Sequence, residues 1–194
     1  MPTSKIMVIR HAEKPNGATG VMPDGSTSPE ALTPTGWQRA GALVGLFAPP
    51  SGHFADPRLA SPQAIYAAGV AHHSNSLRPQ QTVAPLAAKL GLRVNMDHPK
   101  GDEAALVQAA TTVGGIALIS WEHEAIPAIA ALVLDGNQGI PQHWPDDRFD
   151  LVLVFDRPDG QGAWSFAQVP QRLLAGNRTD LVSVAGHEGR SRVG

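Results

Sequence analysis

Two histidines and two arginines in this 194-residue chain stand where regular runs begin or end. The stretch KIMVIRHAEKP passes from an apolar, partly β-branched run, residues 6–9, straight into Arg10, His11, Glu13 and Lys14. A second apolar run, IALIS, leads into Trp121, Glu122, His123 and Glu124. Arg78 directly precedes Pro79 at the head of QQTVAPLAAKLG. These residue types suit a tetrahedral phosphoryl group. A guanidinium is planar, permanently charged and meets two phosphate oxygens at once. A neutral imidazole nitrogen is a competent nucleophile toward phosphorus. Phosphoryl transfer spreads negative charge over the equatorial oxygens, so placement and cationic stabilisation supply most of the catalysis. Two arginines and a second imidazolium can do that without a metal ion.

Such side chains act together only if the fold brings them to one place. Residues 6–9 read as a strand buried on both faces, as under helices in a parallel or mixed sheet. Residues 15–32, rich in Gly, Pro, Ser and Asp, form a long loop, and loops of that length are often functional. Thr33 and Pro34 read as the cap and first residue of a helix that runs on through Leu43, Leu46 and Phe47. Gly36 and Gly41 each cost that helix about 1 kcal/mol relative to Ala. QAIYAAG is a short strand. Pro79 disfavours helical geometry for its predecessor and sits well at a helix start, so Arg78 belongs at the N-terminal boundary of the next helix, which stops at Gly91. LRVNM is a weak strand, DEAALVQAATTV a helix and GGIALIS a second fully apolar strand. AIPAIAALVLDG follows as a helix closed by Gly136. RFDLVLVFD and AWSFAQV end the pattern as two strands, antiparallel neighbours joined through RPDGQG.

This order implies an α/β fold, a three-layer α/β/α sandwich around a mostly parallel sheet. One domain is expected over residues 1–182, with a Gly- and Arg-rich tail, residues 183–194, that frays. Ligands of open α/β sheets sit beyond the carboxyl ends of the strands. Both histidine-bearing segments and the start of the Arg78 helix would then share one rim.

Composition narrows the function classes. The formal net charge is −2, which gives no bulk footprint for nucleic acid or an anionic membrane. There are no cysteines, so disulfide scaffolds, thiolate metal sites and cysteine nucleophiles are excluded. No apolar run has the ~18 residues of a membrane span. The first apolar stretch is too short for a secretory signal and ends in charge, so the cytoplasm is the expected location.

The motifs resemble the histidine phosphatase superfamily, with its phosphoglycerate mutase-like fold. RHAEKP resembles that family's Arg-His-Gly signature, with Ala12 in place of Gly. LTPTGWQRAGAL resembles its LTxxGxxQA helix, with Arg39 where the pattern has Gln. SNSLRPQQTVAPLA resembles its arginine-bearing helix start, and ALISWEHEAIP the strand that delivers its second histidine. The likeness covers roughly residues 5–135 in the family's order. The resemblance implies that His11 is the phosphorylated nucleophile and that Arg10, Arg78 and His123 bind the phosphoryl oxygens. One branch of the family uses an acidic residue right after the second histidine as proton donor, which points to Glu124. A cationic pocket opposes the raised pKa that role requires. Glu13 is the alternative donor, with Glu103 a further candidate.

The implied activity is hydrolysis of a phosphomonoester, on a phosphorylated small molecule or a phosphoprotein, with phosphate as product and no cofactor. Nucleic acid and membrane are not expected partners. A phosphoglycerate mutase-like phosphotransferase and a non-catalytic phosphate-binding module are the alternatives. A metal site built from His11, Glu13, His123 and Glu124 is a third, which two neighbouring arginines oppose. Singly, His11 or His123 also fits a structural histidine and Arg78 a helix-end ion pair. It is the four motifs in order that favour a site. Specificity is expected from residues 15–32, 72–75 and 97–103.

Overall fold

The computed structural model describes residues 4–160 and 162–184. In chain order it contains β1 (Ser4–Arg10), α1 (Pro34–Phe47), β2 (Ala64–Ala67), α2 (Arg78–Leu90), β3 (Val94–Asn95), α3 (Glu103–Thr112), β4 (Ile116–Trp121), α4 (Ile126–Leu134), β5 (Leu151–Arg157) and β6 (Ser165–Pro170). The strands form a single sheet in the order β3-β2-β4-β1-β5-β6. β3, β2, β4 and β1 are parallel to one another; β5 runs antiparallel to β1, and β6 antiparallel to β5. This is the mixed α/β sandwich expected from the sequence. The expected tail lies outside the described residues from position 185 onward.

Alternation along β1 explains the three layers. Ile6 and Val8 pack in one core with Leu106 and Val107 of α3 and Ile126 and Ile129 of α4. Met7 and Ile9 pack in a second core with Leu43 and Phe47 of α1 and Val83 and Leu86 of α2. A strand buried on both faces has no polar side to show, hence its continuous apolar run.

Local stereochemistry sets the helix ends. Thr33 Oγ1 accepts the Gly36 N–H at 3.2 Å, and Pro34 supplies a fixed φ where no amide donor is needed. Arg78 begins α2 immediately before Pro79, and Gly91 ends it at φ 66°, a left-handed conformation that suits glycine. α4 differs from the sequence expectation. Its left-handed closing residue is Asp135, at φ 53°, one position before Gly136. Asp tolerates that region better than most side chains, and the Gly136 amide then reaches Ala131 O at 3.0 Å.

The topology decides where chemistry can occur. Arg10 pairs with Trp121 in the β1–β4 register, and the His11 N–H donates to Trp121 O at 2.9 Å. The two histidine-bearing segments therefore leave the sheet side by side. β2 ends at the same rim and feeds α2, whose first residue is Arg78. Because β5 is antiparallel, its beginning lies where β1 ends, with Ile9 opposite Val152. The connection preceding β5 is thereby carried to the same rim.

Candidate active site

His11 is buried, and its Nδ1–H donates to the Ala12 carbonyl oxygen at 2.7 Å. A carbonyl only accepts, so this bond fixes the tautomer and leaves the lone pair on Nε2. Burial, with Arg10, Arg78 and His123 as neighbouring charges, pushes the imidazole pKa down to about 3. The ring is therefore neutral at physiological pH. The next residue is tied to α2: the Ala12 N–H donates to Thr82 Oγ1 at 2.8 Å, and that hydroxyl donates to Arg78 O at 2.7 Å. The nucleophile candidate and the start of the arginine-bearing helix are thus joined through one hydroxyl.

Arg10 is completely buried at the last position of β1. One terminal nitrogen, Nη1, donates to the carbonyl oxygens of Pro145 (3.1 Å), Asp146 (2.8 Å) and Arg148 (3.2 Å). The guanidinium lies over the Phe149 ring at 3.8 Å. Its Nε and Nη2 find no acceptor among the described residues. Burial lowers its pKa to about 10, so it stays cationic at neutral pH. Two buried, charged donors without acceptors are costly in a protein that offers them nothing, and an oxyanion would satisfy both.

Arg78 is held by the long loop. Its Nη1 donates to Pro29 O at 2.9 Å and lies 3.8 Å from a Glu30 carboxylate oxygen. Its Nε is buried without a partner among the described residues, and desolvation lowers its pKa. His123 places Nε2 2.6 Å from Asp146 Oδ1. Burial and the charges of Arg10 and Lys14 lower its pKa, while Asp146 works in the opposite direction.

A cavity of ≈ 260 Å³ collects these groups. His11, Arg78, His123, Lys14, Glu122 and Glu124 are among the residues lining it. Arg10 is not among its lining residues; it directly precedes His11, and the Asp146 carbonyl that holds its Nη1 belongs to the residue whose carboxylate meets His123. The structure thus gathers His11, Arg78 and His123 at one cavity and puts Arg10 next to it.

The carboxylates separate. Glu124 is exposed, lines the cavity and pairs with Lys100 Nζ at 2.5 Å, a contact that lowers its pKa. Glu13 turns away to a bidentate pair with Arg39, at 3.0 Å from Nε and 2.7 Å from Nη2, and lines a separate cavity of ≈ 730 Å³. Glu103 accepts from the Trp121 indole at 3.0 Å and from the Gly101 amide. Of the four ligands of the metal alternative, Glu13 is drawn out of the cavity by Arg39 and Glu124 is paired with Lys100. Among the described residues no group of three or more His, Asp and Glu side chains could hold a metal ion.

No protein-family model matches the chain, and no curated protein matches it. Among solved structures, the chain is similar to the ecdysone phosphate phosphatase from Bombix mori in complex with tungstate. The two share 13% sequence identity at a TM-score of 0.48, over 94% of this chain and 96% of that one. At that identity and score the likeness decides nothing about chemistry.

Three sets of contacts at the site correspond to no sequence motif. Glu122 lines the cavity and is bonded on both oxygens, accepting from Ser74 Oγ at 3.0 Å and pairing with Lys100 at 2.9 Å. Lys100 comes from the 97–103 segment, a stretch with no motif of its own. The turn at residues 145–149 supplies the carbonyls and the aromatic ring that hold Arg10, and the carboxylate that meets His123. Its one sequence signal is the density of Trp, Pro, Asp, Arg and Phe in HWPDDRF ahead of an apolar run.

Proposed function

We propose that the protein is a metal-independent phosphatase that hydrolyses a phosphomonoester through a phosphohistidine on His11. One observation carries this reading. The His11 tautomer leaves Nε2 unprotonated in a cavity shared with Arg78 and His123, beside a buried Arg10 with two donors lacking acceptors. In the first step Nε2 attacks phosphorus and the bond to the leaving oxygen breaks; the departing alkoxide or phenolate takes its proton from solvent water, since Glu124 is held ionised by Lys100. In the second step water attacks the phosphohistidine, releasing phosphate and returning the lone pair to Nε2. Arg10 and Arg78 offset the charge on the equatorial oxygens in both steps, and His123 adds to them in its protonated form, which burial disfavours and Asp146 favours.

Of the three sequence candidates for the proton donor, Glu124 lines the cavity and Glu13 and Glu103 do not. Its pairing with Lys100 keeps Glu124 ionised at neutral pH. It is therefore better suited to accept a proton from the attacking water than to protonate a poor leaving group. Phosphorylated small molecules and phosphoproteins are the substrate classes proposed, and the cytoplasm the location. Among the described residues no helix is long and apolar enough to cross a membrane.

Rapid quenching after mixing with 32P-labelled p-nitrophenyl phosphate tests the reading. The expected product is acid-labile, alkali-stable phosphate on His11, absent from His11→Ala. Hydrolysis without labelled protein at any quench time would overturn the covalent route.

A further inference from the structure

One residue holds two members of the quartet by two different groups. The Asp146 carbonyl accepts from Arg10 at 2.8 Å, and the Asp146 carboxylate meets His123 Nε2 at 2.6 Å. Asp146 lines the larger cavity, while His123 lines the phosphoryl cavity. With Nε2 engaged by the carboxylate, Nδ1 is the ring nitrogen left for an anion.

We propose that Asp146 is a positioning residue that sets His123 with Nδ1 toward the phosphoryl group and opposes the loss of the proton that makes it a cationic donor. The inference rests on the phosphatase reading for its catalytic consequence, while the Asp146–His123 pair stands on geometry alone.

The charges around His123 show why a counter-ion is required. Arg10 and His11 approach it from the end of β1 and Lys14 from just beyond; Glu124 is on its own segment. Arg10 and Lys14 disfavour a second positive charge. Burial does so most strongly. Glu124 is committed to Lys100. Asp146 is the carboxylate in direct contact with the ring. A neutral His123 spends its one N–H on the Asp146 carboxylate and turns a lone pair on Nδ1 toward the phosphoryl oxygens, so donation to them requires the cation. The same logic of a carboxylate fixing an imidazole's tautomer and stabilising its cation operates in hydrolytic triads.

Asp146→Asn isolates the carboxylate, because the peptide carbonyl that holds Arg10 is unchanged. Imidazole 15N shifts are followed against pH in the wild type, Asp146→Asn, Asp146→Glu and Asp147→Asn, with and without inorganic phosphate. His123 is expected to lose its proton about one pH unit or more lower in Asp146→Asn. Asp147→Asn leaves its titration nearly where it was, and Asp146→Glu largely restores it. Turnover of p-nitrophenyl phosphate follows the same pattern, with the alkaline limb of kcat/KM displaced to lower pH in Asp146→Asn. An unchanged His123 titration in Asp146→Asn, or a fall in kcat/KM by one factor at every pH, overturns the proposal. Absence of turnover in the wild type overturns the phosphatase reading instead, and the imidazole titration then decides the role of Asp146 by itself.

Discussion

The Arg10 guanidinium lies 3.8 Å from the centre of the Phe149 ring. The ring supports one face of a buried cation whose Nη1 is held by three carbonyl oxygens. That support fixes the direction of the two nitrogens without acceptors. Arg10→Ala is expected to lower kcat on p-nitrophenyl phosphate by ~10³-fold, the scale of a transition-state arginine. Phe149→Leu should cost roughly 1–2 kcal/mol of transition-state stabilisation, about 5- to 30-fold in kcat/KM. Steady-state kinetics of both variants checks the order. A Phe149→Leu enzyme as fast as the wild type would show that the carbonyls alone orient Arg10.

His11 carries a pH prediction in two parts. Its pKa falls from 6.5 to about 3 in the folded protein. The proposed nucleophile is therefore unprotonated through the mildly acidic range, and the acidic limb of kcat/KM assigned to it lies well below pH 6.5. The unfolded chain takes up a proton at His11 near pH 6.5 that the folded chain refuses until about pH 3. Stability is thus full above pH 6.5 and declines as pH falls through that window. Urea melts across the window should show a shallower acid decline for His11→Asn than for the wild type. Equal slopes would mean that His11 takes up its proton in the folded state at its ordinary pKa.

Glu124 predicts a leaving-group effect. Held ionised by Lys100, it contributes little to expulsion of an acidic phenolate. Glu124→Gln should change the first-order rate of enzyme phosphorylation by p-nitrophenyl phosphate less than about twofold, and slow hydrolysis of the phosphoenzyme by ~10²-fold, the low end of general-base contributions. Single-turnover quench-flow separates the two steps. The opposite distribution would assign Glu124 the donor role expected from the sequence.

Three glycines of α1 should respond with opposite signs. A Cβ on Gly36 would stand 2.7 Å from the Glu13 carbonyl oxygen and 3.1 Å from its nitrogen, both backbone atoms. The overpacking cost of ~1–3 kcal/mol outweighs the ~1 kcal/mol helix gain of alanine. Gly36→Ala should therefore destabilise the protein and disturb the segment that follows His11. Cβ atoms on Gly41 and Gly45 would meet nothing within 4 Å. Alanine there should stabilise by ~0.5–1 kcal/mol. Thermal melts of the three single variants test the reversal.

Gly36 also shows how a local rule reads a residue correctly and its purpose incompletely. Helix propensity counts it as a cost. The structure makes it the point where α1 passes against the Glu13 backbone, a contact between segments more than twenty residues apart in the chain. Glu13 and Glu124 behave alike. Their proximity to His11 and His123 in sequence made both candidates for the proton donor. Their partners, Arg39 on α1 and Lys100 after β3, come from other elements and separate them.

The order of strands and helices, the Thr33–Pro34 helix start, the position of Arg78 at the head of α2 and the four residues of the candidate site are all written in the chain. Each depends on interactions within a few residues: apolar periodicity, a side-chain cap, the steric demand of proline. The turn at residues 145–149 depends on none of these. It reaches Arg10 and His123 only because β5 pairs antiparallel with β1, so that a segment some 135 residues away begins at the rim where β1 ends. Strand direction and register are settled by burying two apolar faces of a whole sheet at once, and no local window of sequence contains that balance. The amino-acid order thus determined which groups are available for chemistry. The tertiary structure decided which nitrogen of His123 is engaged and which carboxylate engages it.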